Sequence, residues 1–410
     1  MVDCRFWIGL RAVHGGLLRV QNRESKMTLP LPLLDVSGAP REIGRAQGEA
    51  ARKQIGHNLD LYFYRFEAAA EVSRTVALHR GAQYLRVIDT YAPDYGEMMR
   101  GLAEASGHDL LEIATLNARY EIMYSEFSRL VMEATDHRPL TTGIATGGGH
   151  DGCIAFVALP EATPDGRLRL GQNWDWIPGV QGMLLRIERP GGFRVLCFTE
   201  AGIVGGKIGL NSAGLGLAIN GLASNHDSWA RLGLPFHVRT WHILNSRSLE
   251  EAMDSARAGE RSCSANFLIA QADGDGAGRA VDLEAAPLSC RTLVPEAGIL
   301  AHANHFLQPE RLGIWQPLEP AERSSTFHRC GRMQTLLEQQ RGHLDNSTLD
   351  AILRDHDGHP DALCTHPNPH LPEAERYETV FSTIMDLHAG EMLVASGTPC
   401  TSTYSLVQLR

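Results

Sequence analysis

The sequence predicts an α+β protein in which antiparallel sheets follow a helical N-terminal segment. Three observations carry this reading. Apolar residues recur at helical spacing through the first third, a polar glycine-rich stretch interrupts the chain at 141–152, and short apolar runs separated by turns follow it. Strand runs grouped apart from helix runs fit α+β layering rather than a doubly wound parallel sheet.

Taken in order, Ser37-Gly38-Ala39-Pro40 reads as a turn, and Pro40 suits a first helical position, where no amide hydrogen is needed. From Arg41 to about Val72, Ile43, Ala46, Ala50, Ile55, Leu59 and Phe63 mark one helical face. Further helices are predicted over Leu78–Tyr91, Tyr95–Ser106 and Leu110–Val131. Strands are predicted over Ile154–Leu159, Leu168–Gln172, Leu184–Ile187, Val195–Thr199, Leu215–Ile219, Phe267–Ala270, Ala280–Leu283 and Ile299–His302. Pro164-Asp165-Gly166 and Pro190-Gly191-Gly192 are turns of the kind that join hairpins. Pro235–Ser246, Leu249–Ala258 and Arg323–Gln340 read as helices, and Thr379–Leu387, Glu391–Ala395 and Thr403–Leu409 as closing strands.

The 410 residues are 43% hydrophobic, ample for a large core, and Lys+Arg 38 against Asp+Glu 48 gives a net charge of −10. That balance disfavours nucleic acid or an anionic membrane as partner, since both require a concentrated positive field. No apolar run approaches the roughly 18–20 residues of a membrane span. Residues 1–26 lack the pattern of a secretory signal and are expected to be a disordered tail or start-site extension. A cytoplasmic location is expected.

Eight cysteines (Cys4, Cys153, Cys197, Cys263, Cys290, Cys330, Cys364 and Cys400) are scattered with no CxxC pair, so a disulfide framework is not indicated. One stands out by its setting. Cys153 joins the glycine-rich loop to the first strand, in His150-Asp151-Gly152-Cys153-Ile154. Were the chain cut before it, its freed α-amine, of pKa about 8, would accept the thiol proton, and one residue would supply nucleophile and base. Gly152 has no side chain to obstruct attack on its carbonyl. The competing reading is a buried cysteine at a strand start.

Ordered motifs separate the two. Asp151-Gly152-Cys153, Gly171-Gln172-Asn173-Trp174-Asp175, Thr199-Glu200-Ala201-Gly202, Gly209-Leu210-Asn211-Ser212-Ala213-Gly214, Ala303-Asn304-His305 and Leu363-Cys364 follow one another along the chain. Upstream stand Gly38-Ala39-Pro40-Arg41-Glu42-Ile43-Gly44 with Gly48, and Leu116-Asn117-Ala118-Arg119. From about Pro30 onward the sequence resembles the acyl-coenzyme A:isopenicillin N (6-aminopenicillanic acid) acyltransferase family of N-terminal-nucleophile cysteine hydrolases. The resemblance implies a four-layer αββα sandwich and a precursor that cleaves itself between Gly152 and Cys153. Residues 27–152 would be the small chain and 153–410 the large chain, both in one folded unit, with higher oligomers left open. It also implies a small-molecule acyl amide or acyl thioester as substrate, with acyl-coenzyme A as one donor class.

By the same resemblance, Cys153 is the nucleophile, Asp175 orients its freed amine, and the Asn304 amide faces the oxyanion. Arg376 matches an arginine that precedes the penultimate strand and would hold a substrate carboxylate or steady the nucleophile. Glu375 departs from the small hydroxyl residue found there in the penicillin-forming enzyme, which weakens a β-lactam assignment. Trp176 is a candidate pocket wall, and Trp174 reads better as core. Glu200 and Asn211 suit supporting roles, and His302 and His305 structural ones.

His356, His359, Cys364, His366 and His370 crowd one segment, but its prolines and irregular spacing argue against a prebuilt zinc site, so neither metal nor cofactor is expected. Gly147-Gly148-Gly149 lacks the Lys-Ser/Thr of a phosphate loop. The leading expectation is a self-processing cysteine amidohydrolase or acyltransferase acting on linear non-peptide amides or thioesters. The alternatives are a bile-salt or penicillin V acylase-like hydrolase, and a non-catalytic binding protein on the same fold.

Overall fold

Helices and strands segregate along the chain. The computed structural model describes residues 29–135, 152–316 and 325–410, with residues 131–135 described by backbone alone. The expected tail over 1–26 and the glycine-rich stretch up to Asp151 lie outside the described residues. After strand β1 (Leu33–Ser37) come α1 (Pro40–Ala50), α2 (Arg52–Ala70), α3 (Arg74–Tyr91), α4 (Pro93–Ser106), α5 (Leu110–Asn117) and α6 (Arg119–Thr135). Strands β2 (Ile154–Ala158), β3 (Arg169–Trp176), β4 (Gly182–Glu188), β5 (Arg194–Glu200), β6 (Ile208–Asn211) and β7 (Leu215–Gly221) lead to α7 (Phe236–Leu244) and α8 (Leu249–Arg257). Then follow β8 (Ala265–Ala272), β9 (Gly278–Ala285), β10 (Cys290–Leu293), β11 (Ile299–His302), α9 (Ser325–Gln339), α10 (Asn346–Leu353), β12 (Glu378–Asp386), β13 (Glu391–Ser396) and β14 (Ser405–Gln408). Among the described residues no helix is long and apolar enough to cross a membrane.

The strands form an 8-stranded sheet, β1-β4-β5-β6-β7-β8-β9-β10, and a 6-stranded sheet, β11-β2-β3-β12-β13-β14. β2 and β3 pack across to β7, α7 and α8 cover the outer face of the larger sheet, and α9 and α10 cover the smaller one. This is the αββα layering that the resemblance implied. The two proline-glycine turns do join antiparallel neighbours, β2–β3 and β4–β5.

β2 shows how the layers are specified. Cys153, Ala155 and Val157 belong to the core between the sheets, whereas Ile154, Phe156 and Ala158 pack with Met333, Leu337 and Leu353 under α9 and α10. Successive side chains point to opposite faces, so the strand buries both and reads as an unbroken apolar run.

Three departures from the sequence reading have physical causes. The helix expected over 41–72 is two helices, broken at Ala51 (φ −116°, ψ 18°). α1 lies backbone-to-backbone on α4: a Cβ at Gly44 would stand 1.9 Å from the Met98 carbonyl oxygen, and one at Gly101 2.0 Å from that of Arg41. β1, β6 and β10 were not anticipated. β6 carries a glycine and an asparagine among its four residues, β10 is a half-exposed edge strand, and β1 makes a parallel edge pair with β4, so the N-terminal segment is not wholly helical.

Candidate active site

Antiparallel neighbours alternate direction, so the start of β2, the ends of β3 and β11 and the start of β12 share one edge of the smaller sheet. That edge gathers Cys153, Asp175, Thr379 and, two residues beyond β11, Asn304. All four are buried.

Cys153 Sγ lies 3.6 Å from the Asp175 carbonyl oxygen and faces the layer between the sheets. The Asp175 side chain points to the opposite face from Trp174 and Trp176, as strand alternation requires. There its carboxylate accepts one hydroxyl on each oxygen, from Thr365 and from Thr379, both at 2.6 Å. The Thr365 amide also donates to Thr379 Oγ1 at 3.1 Å, so the two threonines hold each other. Gly152 abuts this carboxylate: a Cβ there would stand 2.7 Å from Asp175 Oδ2.

A residue that the sequence reading did not single out binds the other side. Arg329, in α9 and buried, donates through Nη1 to the Gly152 carbonyl and, at 2.8 Å, to the Cys153 carbonyl. Its Nη2 donates to Asn304 Oδ1 at 3.0 Å. A guanidinium only donates, so this bond fixes the orientation of the Asn304 amide. Nδ2 therefore faces away, and one of its hydrogens goes to the Gly221 carbonyl at 3.2 Å. The sequence did carry a signal, because Arg329 occupies the helical stripe Thr326, Met333, Leu337 where an apolar residue is expected.

A small, narrow pocket opens beside Cys153, walled by Trp174, Trp176, Ile219 and Phe236, with Arg119 and Gly221 at its polar parts. Trp176 and Trp174 both line it, and both are buried in the core between the sheets, as expected for Trp174. Behind them lies a buried charge cluster. Glu200 accepts from Tyr62, Arg119 and Lys207, Trp176 Nε1 donates to the Tyr62 hydroxyl, and Lys207 Nζ sits 3.1 Å from the Trp174 ring centroid. Burial pulls the Glu200 carboxyl up, but Arg119 and then Lys207 outweigh it and hold it far below the usual range. Burial pushes Lys207 down to about 7, since the one carboxylate already answers Arg119.

Four residues named in the sequence reading are held elsewhere. Asn211 spends its amide on the Leu244 and Ser246 carbonyls and the Ala213 and Leu215 amides, which makes it a turn-holder. Arg376 donates to the Leu371 and Pro369 carbonyls at 2.9 and 3.3 Å, clasping the loop before β12, and does not line the cavity. His302 pairs with Glu284 across the sheets at 3.1 Å, and His305 with Thr326 at 3.0 Å.

The segment read as too irregular to build a metal site meets a group from outside it. His356, Cys364, His366 and, from the loop after β13, Cys400 bring one ligand atom each to within 4.8 Å of one another. Spacing along the chain does not show this grouping, because Cys400 arrives from elsewhere in the fold.

A family model described as acyl-coenzyme A:6-aminopenicillanic acid acyl-transferase matches residues 162–400. The acyl-coenzyme A:6-aminopenicillanic-acid-acyltransferase 40 kDa form of Emericella nidulans is 28% identical over 366 residues, 88% of this chain and 91% of its own. Among solved structures, a variant of the conjugated bile acid hydrolase of Clostridium perfringens is 14% identical, covering 63% of this chain and 92% of that one with a TM-score of 0.44. The Caenorhabditis elegans ortholog of N-acylethanolamine-hydrolyzing acid amidase is also 14% identical, covering 57% and 93% with a TM-score of 0.39.

Proposed function

Because the chain belongs to the acyl-coenzyme A:6-aminopenicillanic acid acyl-transferase family, we propose that it is a self-processing cysteine amidohydrolase or acyltransferase whose nucleophile is Cys153. One observation carries this reading: Gly152 is gripped between Arg329, on its carbonyl oxygen, and Asp175, against its Cα.

Processing follows from that grip. The Cys153 thiolate attacks the Gly152 carbonyl carbon, and charge develops on the oxygen that Arg329 already faces. The C–N bond breaks, the Cys153 nitrogen takes up the proton that the thiol gave up on attack, and the acyl group rests on sulfur as a thioester. Water hydrolyses the thioester, leaving the Gly152 carboxylate and a free Cys153 with an α-amine beside Asp175. An aligned donor at such an oxyanion is worth roughly 3 kcal/mol.

In turnover the α-amine takes the thiol proton, sulfur attacks the carbonyl of a linear non-peptide amide or thioester, and the leaving amine or thiol departs with that proton. The acyl group passes to water or to an acceptor amine. Trp174, Trp176, Ile219 and Phe236 offer apolar walls for the acyl chain, and Asn304, oriented by Arg329, offers the amide donor. The two chains stay together in this reading. Asn58 and Asn117 donate to the carbonyls of Ala201 and Gly202 at 2.9 Å, and Gln47 to that of Ile203 at 2.8 Å, tying the N-terminal helices to the turn after β5.

Intact mass of the purified protein tests the reading. Two fragments divided between Gly152 and Cys153 are expected, with Cys153→Ala remaining one chain. A folded wild type that stays whole refutes it. Thioester trapping with acyl amides and acyl-coenzyme A then identifies the donor class.

A further inference from the structure

His356, Cys364, His366 and Cys400 cluster outside the pocket beside Cys153. Their backbone is built in two places. Cys364 N donates to the Asp355 carbonyl at 3.0 Å and His366 N to that of Pro360 at 2.9 Å, which folds 355–366 into a compact loop. Arg332 anchors that loop to α9 through two bonds to Asp355, at 3.1 and 2.6 Å. Cys400 arrives from the turn after β13.

His366 Nε2 stands 3.1 Å from His356 Nε2, 3.6 Å from Cys364 Sγ and 3.4 Å from Cys400 Sγ. Hydrogen bonding cannot account for all three approaches. A ring nitrogen offers one in-plane position, either a hydrogen or a lone pair, and so serves one partner well. A cation at the centre accounts for them together. With metal–nitrogen and metal–sulfur bonds of about 2.0 and 2.3 Å, tetrahedron edges fall at about 3.3–3.8 Å. The three separations from His366 lie in or just below that range, and the remaining pairs lie within 4.8 Å, close enough for small side-chain shifts to close them on an ion.

We propose that His356, Cys364, His366 and Cys400 form a tetrahedral Cys2His2 site for a zinc-class divalent cation. Two thiolates and two neutral imidazoles suit this ion, and their charge cancels its own. Each thiol gives its proton to solvent as the metal binds. All four positions are taken by protein, so the site is structural, with no open position for substrate. Its place suggests what it stabilises. Cys364 and His366 flank Thr365, whose hydroxyl binds Asp175, so the metal clamps the loop that orients this carboxylate. That link to turnover rests on the function proposed above, whereas the metal site does not.

The test uses full-length protein without a histidine tag, purified under reducing conditions, stripped with a chelator and titrated with Zn2+ and with Co2+. One Zn2+ per chain should survive gel filtration. Co2+ should give the visible bands of a tetrahedral ion and thiolate-to-metal charge transfer. His356→Ala and Cys400→Ser alter an exposed ring and a loop thiol, so the fold should persist while affinity falls by at least about 10-fold. Folded, reduced wild type that takes up neither ion overturns the proposal, as does stoichiometric metal in the double variant. So does a Cys364–Cys400 disulfide in protein purified without reductant that takes up no metal after reduction. Metal content is read separately from chain cleavage, so failure of either proposal leaves the other distinguishable.

Discussion

Arg329 Nη2 donates to Asn304 Oδ1 while Nη1 holds the Gly152 carbonyl, so one guanidinium both orients the amide and faces the Gly152–Cys153 peptide bond. Arg329→Met keeps much of the stem's packing but removes every donor. Chain cleavage should then slow by about 100-fold or more, the scale of losing an oxyanion donor. Mass spectra taken over time after expression measure it. Cleavage at the wild-type rate would show that the guanidinium only fills space.

Thr365→Val and Thr379→Val each remove one hydroxyl from Asp175 with little change of shape. A hydrogen bond to a charged group is worth about 1.5–3 kcal/mol, so each should lower kcat/KM by about 10–100-fold. The double variant, with both carboxylate oxygens stripped, should be lower still. A double-mutant cycle on processed enzyme checks this, and wild-type kcat/KM in either single variant would remove the threonines from the site.

Cys153, Asp175 and Asn304 were legible because each lies inside a short motif, and strand alternation then sets which face each side chain takes. Arg329 and Thr365 were not, because their partners Gly152 and Asp175 lie 177 and 190 residues away in sequence. Only the sheet order brings them together. The grouping of helices apart from strands was readable from periodicity and the four layers only from the resemblance, while β1 was not readable at all: a parallel edge strand depends on its neighbour β4, not on its own five residues. Cys400 failed to announce itself for the same reason, joining His366 from 34 residues further on.

Gly44 and Gly56 sit in successive helices and should respond to alanine with opposite signs. At Gly44 the new methyl would stand 1.9 Å from the Met98 carbonyl oxygen, so α1 and α4 must separate, at a cost of about 1–3 kcal/mol. At Gly56 the nearest atoms belong to the half-buried His108 ring, 3.4 Å away. There alanine should gain about 0.5–1 kcal/mol from helix propensity. Thermal or urea unfolding of the two variants decides it, and equal effects would mean that the α1–α4 contact is not close.

His302 should make stability fall as pH rises. Burial alone would lower its pKa, but the buried carboxylates of Asp282 and Glu284 outweigh it and raise it to about 8. The unfolded ring titrates near ~6.5, so the folded state holds the extra proton between the two values. The stabilisation is therefore complete below about pH 6.5 and is lost as pH rises through about 8, amounting to about 2 kcal/mol. Burial places its neighbours outside this window: Asp282 is raised to about 6 and His305 lowered to about 3, both below it, and Cys330 is pushed up to about 11, above it. In a Cys153→Ala background, where the chain should stay whole, urea midpoints at pH 6 and pH 8.5 should show this loss. His302→Asn should be less stable at pH 6 yet flatter between the two. Parallel profiles for the two proteins would mean that the ring stays neutral between Glu284 and the Ala303 carbonyl.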